Sequence, residues 1–243
     1  MVHDWRALGR EFSVRMRRTA QGYCWLCGYA NAVICGCCTT CFADLPRLAP
    51  ANLRPAGASD HCLYWLAAAS YQPPVDRWLQ QFKFQQQPAL AKHFAALIAA
   101  QALAFHKQQR MRLPQCLTSV PMPNQRWRQR GYNQAALLGR EVSRMLGIPY
   151  QDCVSIQGHK GEHFTAQHRL SASARAQAMQ QRFIVREADT FAHLASLEHV
   201  AVIDDVITTG NTISAVALAL LEAGVGMVSG WALAYTPAEQ VKG

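Results

Sequence analysis

The sequence predicts an α/β protein, a parallel β-sheet flanked by helices, preceded by a small cysteine-stapled module. Three observations carry this. From residue 61 onward, strand-length apolar segments alternate with helix-length ones across short turns marked by Gly or Pro. Strand, helix, strand in that rhythm implies parallel strands joined by right-handed crossovers. Six of the nine cysteines (Cys24, Cys27, Cys35, Cys37, Cys38, Cys41) fall between positions 24 and 41. Half of the 243 residues are hydrophobic and only 16% are charged, so the chain can bury a core and is not disordered as a whole.

The elements follow in order. Residues 1–20 are an N-terminal extension whose first 18 residues hold Asp4 and Glu11 and no apolar run of signal-peptide length, so a cytoplasmic protein is expected. Residues 21–46 form the cysteine module, too poor in long apolar side chains to fold without a staple. The prolines and glycine of 47–60 mark a linker, and 61–243 form the larger domain. Within it His61 to Tyr71 reads as a strand. Pro73-Pro74 opens a helix with Val75, Trp78, Leu79 and Phe82 on one face, and a second helix runs from about Pro88 to Lys107. Gln115 to Val120 is a strand ended by Pro121 and Pro123. Asn133 to Leu146 is an amphipathic helix stopped by Gly147. Arg182 to Arg186 and His199 to Ile203 are strands, Thr208 to Ala223 a helix, and Val225 to Tyr235 the last strand. The polar stretch 155–181 reads as a mobile loop. Lys92 and His93 interrupt one apolar stretch and Glu222 another, so no membrane span is expected.

Val202 to Thr212, VIDDVITTGNT, carries the most chemistry. An apolar strand delivers Asp204 and Asp205, and a turn of small residues around Gly210 then opens a helix. Backbone N–H groups at a helix start, backed by the helix dipole, can hold a phosphate monoester. Thr208, Thr209 and Thr212 add hydroxyls, Asn211 lies between them, and Gly210 lets the backbone close on the anion. Asp204 and Asp205 stand where a ribose would extend, able to accept from its hydroxyls or hold magnesium through water. A plain strand-turn-helix with a Thr cap and two solvated acids is the alternative. Eleven consecutive positions fitting a complete site favour the functional reading. This loop resembles the fingerprint of the type I phosphoribosyltransferases: four apolar residues, two acids, two loose positions, then Thr-Thr/Ser-Gly-x-Thr.

The resemblance widens. Leu117 to Gln134, LTSVPMPNQRWRQRGYNQ, is similar to the hallmark of the ComF/GntX family, competence-related phosphoribosyltransferase-like proteins in which a strand runs into V-P-x-P, spaced arginines and R-G-F/Y-N-Q. Tyr71 to Phe84 (Y-x-P-P, later F-K-F), Thr165 to Arg175, and Asp44 to Pro46 after the cysteines extend the match. The chain departs from the family at Ala178, where an Asn is usual. The resemblance implies a diphosphate loop at Val120, Pro121, Met122 and Pro123, with Arg126, Arg128 and Arg130 near enough to neutralise the anion. It also implies a closing loop at Ser155 to Gln181.

Cys24-x-x-Cys27 and Cys38-x-x-Cys41 can place four thiolates around one structural zinc. Cys35-x-x-Cys38 is also a C-x-x-C, Cys37 lies between, and reduced or redox-active thiols are the alternative to metal. The resemblance favours Cys38 with Cys41, because Phe42 to Pro46 matches the family's continuation. Such a ribbon can staple a fold, dock a protein or touch nucleic acid. Cys62, Cys116 and Cys153 stand beside apolar neighbours and read as core residues.

The net charge is +9, and it is clustered: 106–144 holds eight basic residues against one acidic, whereas 200–243 holds one against four. Anionic partners are expected. Arg126, Trp127, Arg128, Arg130 and Tyr132 interleave cations and aromatics as single-stranded DNA contacts do, although a core position for Trp127 and a clamp on diphosphate alone would use the same residues. The resemblance implies a role in DNA uptake or utilisation, with 5-phosphoribosyl diphosphate and magnesium as ligands and single-stranded DNA or a helicase-like uptake protein as partner. An active phosphoribosyltransferase, with Asp204 and Asp205 stabilising the ribosyl ring and an unidentified base or amine as acceptor, is the alternative. The oligomeric state stays open.

Overall fold

The computed structural model describes residues 24–29, 36–55, 61–85, 87–156, 183–185 and 194–237. Its centre is a four-stranded, wholly parallel sheet in the order β1-β6-β5-β2, built from β1 (Trp65–Ser70), β2 (Cys116–Ser119), β5 (His199–Ile207) and β6 (Met227–Tyr235). Parallel strands need long crossovers, and helices supply them. Between β1 and β2 come α2 (Val75–Phe84) and α3 (Leu90–Gln109), and after β2 come α4 (Asn124–Arg130) and α5 (Gln134–Leu146). Between β5 and β6 lies α6 (Asn211–Glu222). A short antiparallel pair, β3 (Val154–Ile156) with β4 (Phe183–Val185), forms a second sheet.

Alternation along the strands gives the sheet two buried faces. Leu66, Ala201, Ile203, Trp231 and Leu233 face a core shared with Leu79, Phe82 and Phe94, and with Leu138 and Val142 of α5. Trp65, Val200, Val202, Val228 and Ala232 face a second core with Ile213, Val216 and Leu220 of α6 and with Val154, Phe183 and Val185 of the small sheet. Cys62, Cys116 and Cys153 are buried in this second core, in keeping with their apolar neighbours.

The observed elements depart from the predicted ones in several places, and β3 runs to Ile156, inside the stretch 155–181 that reads as a loop. The first strand starts at Trp65 rather than His61. The strand predicted over His199 to Ile203 continues to Ile207, because its register with β6 runs on to Ile207 opposite Tyr235. The helix predicted from Thr208 begins at Asn211, leaving Thr208 to Gly210 as the connecting loop. The arginine-rich stretch after Pro123 is helical: α4 ends at Gly131, whose φ of +79° closes the turn with a bond from its N–H to Trp127 O. Most of 155–181, the match at 165–175, Ala178, the N-terminal extension and Cys35 lie outside the described residues.

The segment 46–53 lies along the free edge of β1. Leu48 N–H donates to Ala68 O, Leu53 N–H to Trp65 O, and Ser70 N–H to Pro46 O, while Arg47 forms an antiparallel bridge with Ala69. Before it stands the cysteine module with α1 (Thr39–Ala43). Trp25 joins this module to the larger body. Its ring stacks on His93 at 5.0 Å and meets Trp78 and Phe94 edge-on at 4.8 and 5.8 Å. Among the described residues no helix is long and apolar enough to cross a membrane.

Candidate functional site

The C-terminal part of the central strand β5 carries both acids. Asp204 and Asp205 are inside the paired part of β5, with Asp204 opposite Ala232 of β6. Both are partly buried. The Asp204 carboxylate accepts the N–H of Asp205 at 2.8 Å. Burial, reinforced by the neighbouring Asp205 charge, pushes the Asp204 carboxyl up to about 7, against the opposing pull of that hydrogen bond and of the Lys83 and Arg126 charges. Asp205 Oδ2 forms an ion pair with Lys83 Nζ at 3.0 Å.

The loop after β5 is shaped by its small residues. Gly210 has φ +82°, a conformation that glycine adopts without strain, and an added Cβ would stand 3.0 Å from the Trp65 ring. The Thr209 hydroxyl accepts the N–H of Asn211 at 3.5 Å. Thr208 is exposed, and Thr209, Asn211 and Thr212 are partly so. α6 then runs for 12 residues from the loop, so its N-terminal amides and the positive end of its dipole lie at the loop.

The loop predicted to take diphosphate sits next to this one. Val120 N–H donates to Ile203 O at 3.0 Å, directly before Asp204, and Val120 O accepts from Asn133 Nδ2 at 3.0 Å. Asn133 also caps α5 through its Oδ1 and the Ala136 N–H at 3.4 Å, so one side chain fixes both the loop and the helix. The amide of Val120 is therefore committed to the sheet. Pro121 and Pro123 have no amide hydrogen, and Met122 supplies the loop's remaining N–H.

The arginines divide by position. Arg126 is close enough to favour the ionised form of Asp204. Arg128 is exposed. Arg130 stands over the Phe84 ring at 5.0 Å and reaches Gln134 Oε1 at 3.3 Å. Trp127 is 54% exposed, which removes the alternative of a core tryptophan. Tyr132 turns inward: its hydroxyl donates to Phe82 O and its ring packs on Phe82. Trp127 is thus the ring that this stretch offers to solvent.

In the cysteine module the Sγ atoms of Cys24, Cys27, Cys38 and Cys41 lie within 4.8 Å of one another. Cys27 Sγ and Cys38 Sγ are 3.8 Å apart. The edge of a tetrahedron with Zn–S bonds of about 2.3 Å is roughly 3.8 Å, so the donor set fits that ion. Cys38 caps α1, its sulfur accepting the Cys41 N–H at 3.4 Å. Cys37 is fully buried and is not part of the group; burial pushes its thiol up to about 12.

The structure adds Lys83 beside the acid pair. Its signal was the F-K-F of Phe82 to Phe84, a single cation between two aromatics at a helix end, but nothing local says that it meets Asp205.

A parallel α/β protein with an acid pair near a strand end, a Thr-Thr-Gly loop that opens a helix and a four-cysteine module is the class these features define. No family model matches the chain. It is 32% identical over 165 residues to Competence protein F of Haemophilus influenzae, covering 68% of this chain and 69% of that one. It is 29% identical over 233 residues to DNA utilization protein YhgH of Escherichia coli (strain K12) and of Salmonella typhi, covering 90% of this chain and 99% of each relative. The chain belongs to the competence protein F (ComF) family. Among solved structures, the allosteric regulatory enzyme of purine biosynthesis overlaps 62% of this chain and 29% of its own, with 18% identity and a TM-score of 0.37.

Proposed function

We propose that the protein binds 5-phosphoribosyl diphosphate with magnesium and serves in DNA utilisation, the role its relatives' names carry. The observation that supports this best is the Lys83–Asp205 ion pair next to Asp204, on the strand that leads into the Thr208 to Thr212 loop, with the Arg126 charge near enough to act on Asp204. In this reading the amides and hydroxyls of 208–212 hold the 5-phosphate. Asp204 and Asp205 accept from the ribose hydroxyls, and Met122 with Arg126 and Arg128 takes the diphosphate. Magnesium suits the acid pair, since a hard dication with oxygen ligands offsets both the burial and the Asp205 repulsion that raise Asp204. Arg126, Trp127, Arg128 and Arg130 of α4 contact single-stranded DNA, and the cysteine module holds one structural zinc.

A second reading is an active transferase. The property that favours it is the Asp204 carboxyl near 7, able to exchange a proton at neutral pH. The C1–O bond to diphosphate would break, a C1–N bond to an acceptor base would form, and the acceptor's proton would pass to Asp204. Titration of 5-phosphoribosyl diphosphate by calorimetry, with diphosphate release followed in parallel, decides. Binding without release supports the module, and steady release with a free base supports the transferase. No binding with magnesium present removes both.

A further inference from the structure

Helix α2 buries Val75, Leu79 and Phe82, yet its last residue, Phe84, is 68% exposed. An uncovered phenyl ring forfeits the burial that its neighbour Phe82 gains at 0% exposure. Its position is informative. The preceding residue, Lys83, pairs with Asp205 at 3.0 Å, and Phe84 itself lies under the guanidinium of Arg130 at 5.0 Å. Arg130 is three residues from Trp127 on α4, so the two neighbour each other on that helix. Lys83 and Phe84 therefore bridge the acid pair to the exposed aromatic and cationic face of α4.

We infer that Phe84 and Arg130 form a nucleobase platform beside Asp205, receiving a base of single-stranded DNA where the α4 surface runs into the acid pair. The inference rests on the strand-binding reading above and adds a position that it lacks. A planar heteroaromatic base fits because both flat groups stack on such rings whatever the base, and Arg126, Arg128 and Arg130 together suit the phosphates between bases. An apolar peptide would find one ring among cations, which is a poor match of charge.

The test uses the full chain, a thymidine oligonucleotide and an abasic strand of the same length, with affinity read by fluorescence anisotropy. The wild-type protein is expected to bind the thymidine strand more tightly than the abasic one. Phe84→Ala is expected to weaken the thymidine strand about tenfold while leaving the abasic strand and the salt dependence unchanged, because a phenyl ring contacts no phosphate. Phe84→Trp restores binding, and its melting temperature checks the fold. An unchanged thymidine affinity in Phe84→Ala, or equal weakening of both strands, overturns the platform while the strand-binding reading stands. Failure of the wild type to bind either strand overturns that reading and the platform together.

Discussion

The Lys83 ammonium lies 3.0 Å from Asp205 Oδ2, tying the last turn of α2 to the end of a central strand. Both side chains are mostly buried, at 20% and 13% exposure, so solvent screens the pair less than it does an exposed bridge. Asp204, one residue earlier, forms no ion pair among the described residues, and burial raises its carboxyl to about 7. Of the two adjacent carboxylates, one is thus tied to a cation on α2.

Replacing Asp204 and Asp205 together by Asn keeps their shape and removes the charge that ribose hydroxyls and magnesium need. Affinity for 5-phosphoribosyl diphosphate should fall tenfold or more, about 1.4 kcal/mol. Calorimetry of the double variant measures this, and an unchanged affinity would reject the acid pair as the ribose site.

The raised carboxyl of Asp204 has a consequence for stability. Folding stabilises its protonated form, so the contribution is complete below the unfolded value near 3.8 and is lost as pH rises toward about 7. Asp204→Asn cannot ionise. Its melting temperature relative to the wild type should rise by a few degrees between pH 5 and pH 8 in magnesium-free buffer. Scanning calorimetry at both pH values shows whether the two curves diverge; parallel curves would contradict the burial of this charge.

One zinc per chain is expected from elemental analysis, and Cys27→Ser should lose it. Four thiolates close the coordination sphere, so chelation should unfold the module and spare the larger body. Since Trp25 rests on His93 and Phe94, the body's melting temperature should nevertheless drop by some degrees. Cys35→Ser should keep the metal. Two zinc ions per chain, or none, would refute the assignment.

Arg126→Ala with Arg128→Ala should shrink the log–log salt slope of single-strand binding by more than one, at about 0.7 per phosphate neutralised. Anisotropy between 50 and 200 mM salt, about the range where counterion release is readily followed, gives the slope. A slope indifferent to both substitutions would leave α4 as a diphosphate clamp.

Much of this arrangement was legible because it is local. Gly210, the threonines and the two acids lie within one strand-loop-helix, and their placement there can be read from spacing. The rest depends on partners distant in sequence. β5 extends past Ile203 because β6 continues beside it, so the acids sit within the pairing rather than beyond it. α4 went unread since Asn124 to Arg130 has no apolar stripe to reveal a helical period. The Lys83 contact needs α2 to end above β5, which no pattern within F-K-F specifies. Tyr132 looked available beside its arginines, but the adjacent Phe82 captures it.

The stretch 46–53 hydrogen-bonds along β1 and so occupies a row of amides and carbonyls that would otherwise face solvent. Open sheet margins recruit further strands from other molecules. The proline-bearing connection therefore acts as a guard against self-association as well as a tether. A shortened chain starting at residue 61 would discard the cysteines and, with them, this guard, and its tendency to aggregate would reflect a bared strand rather than a missing metal.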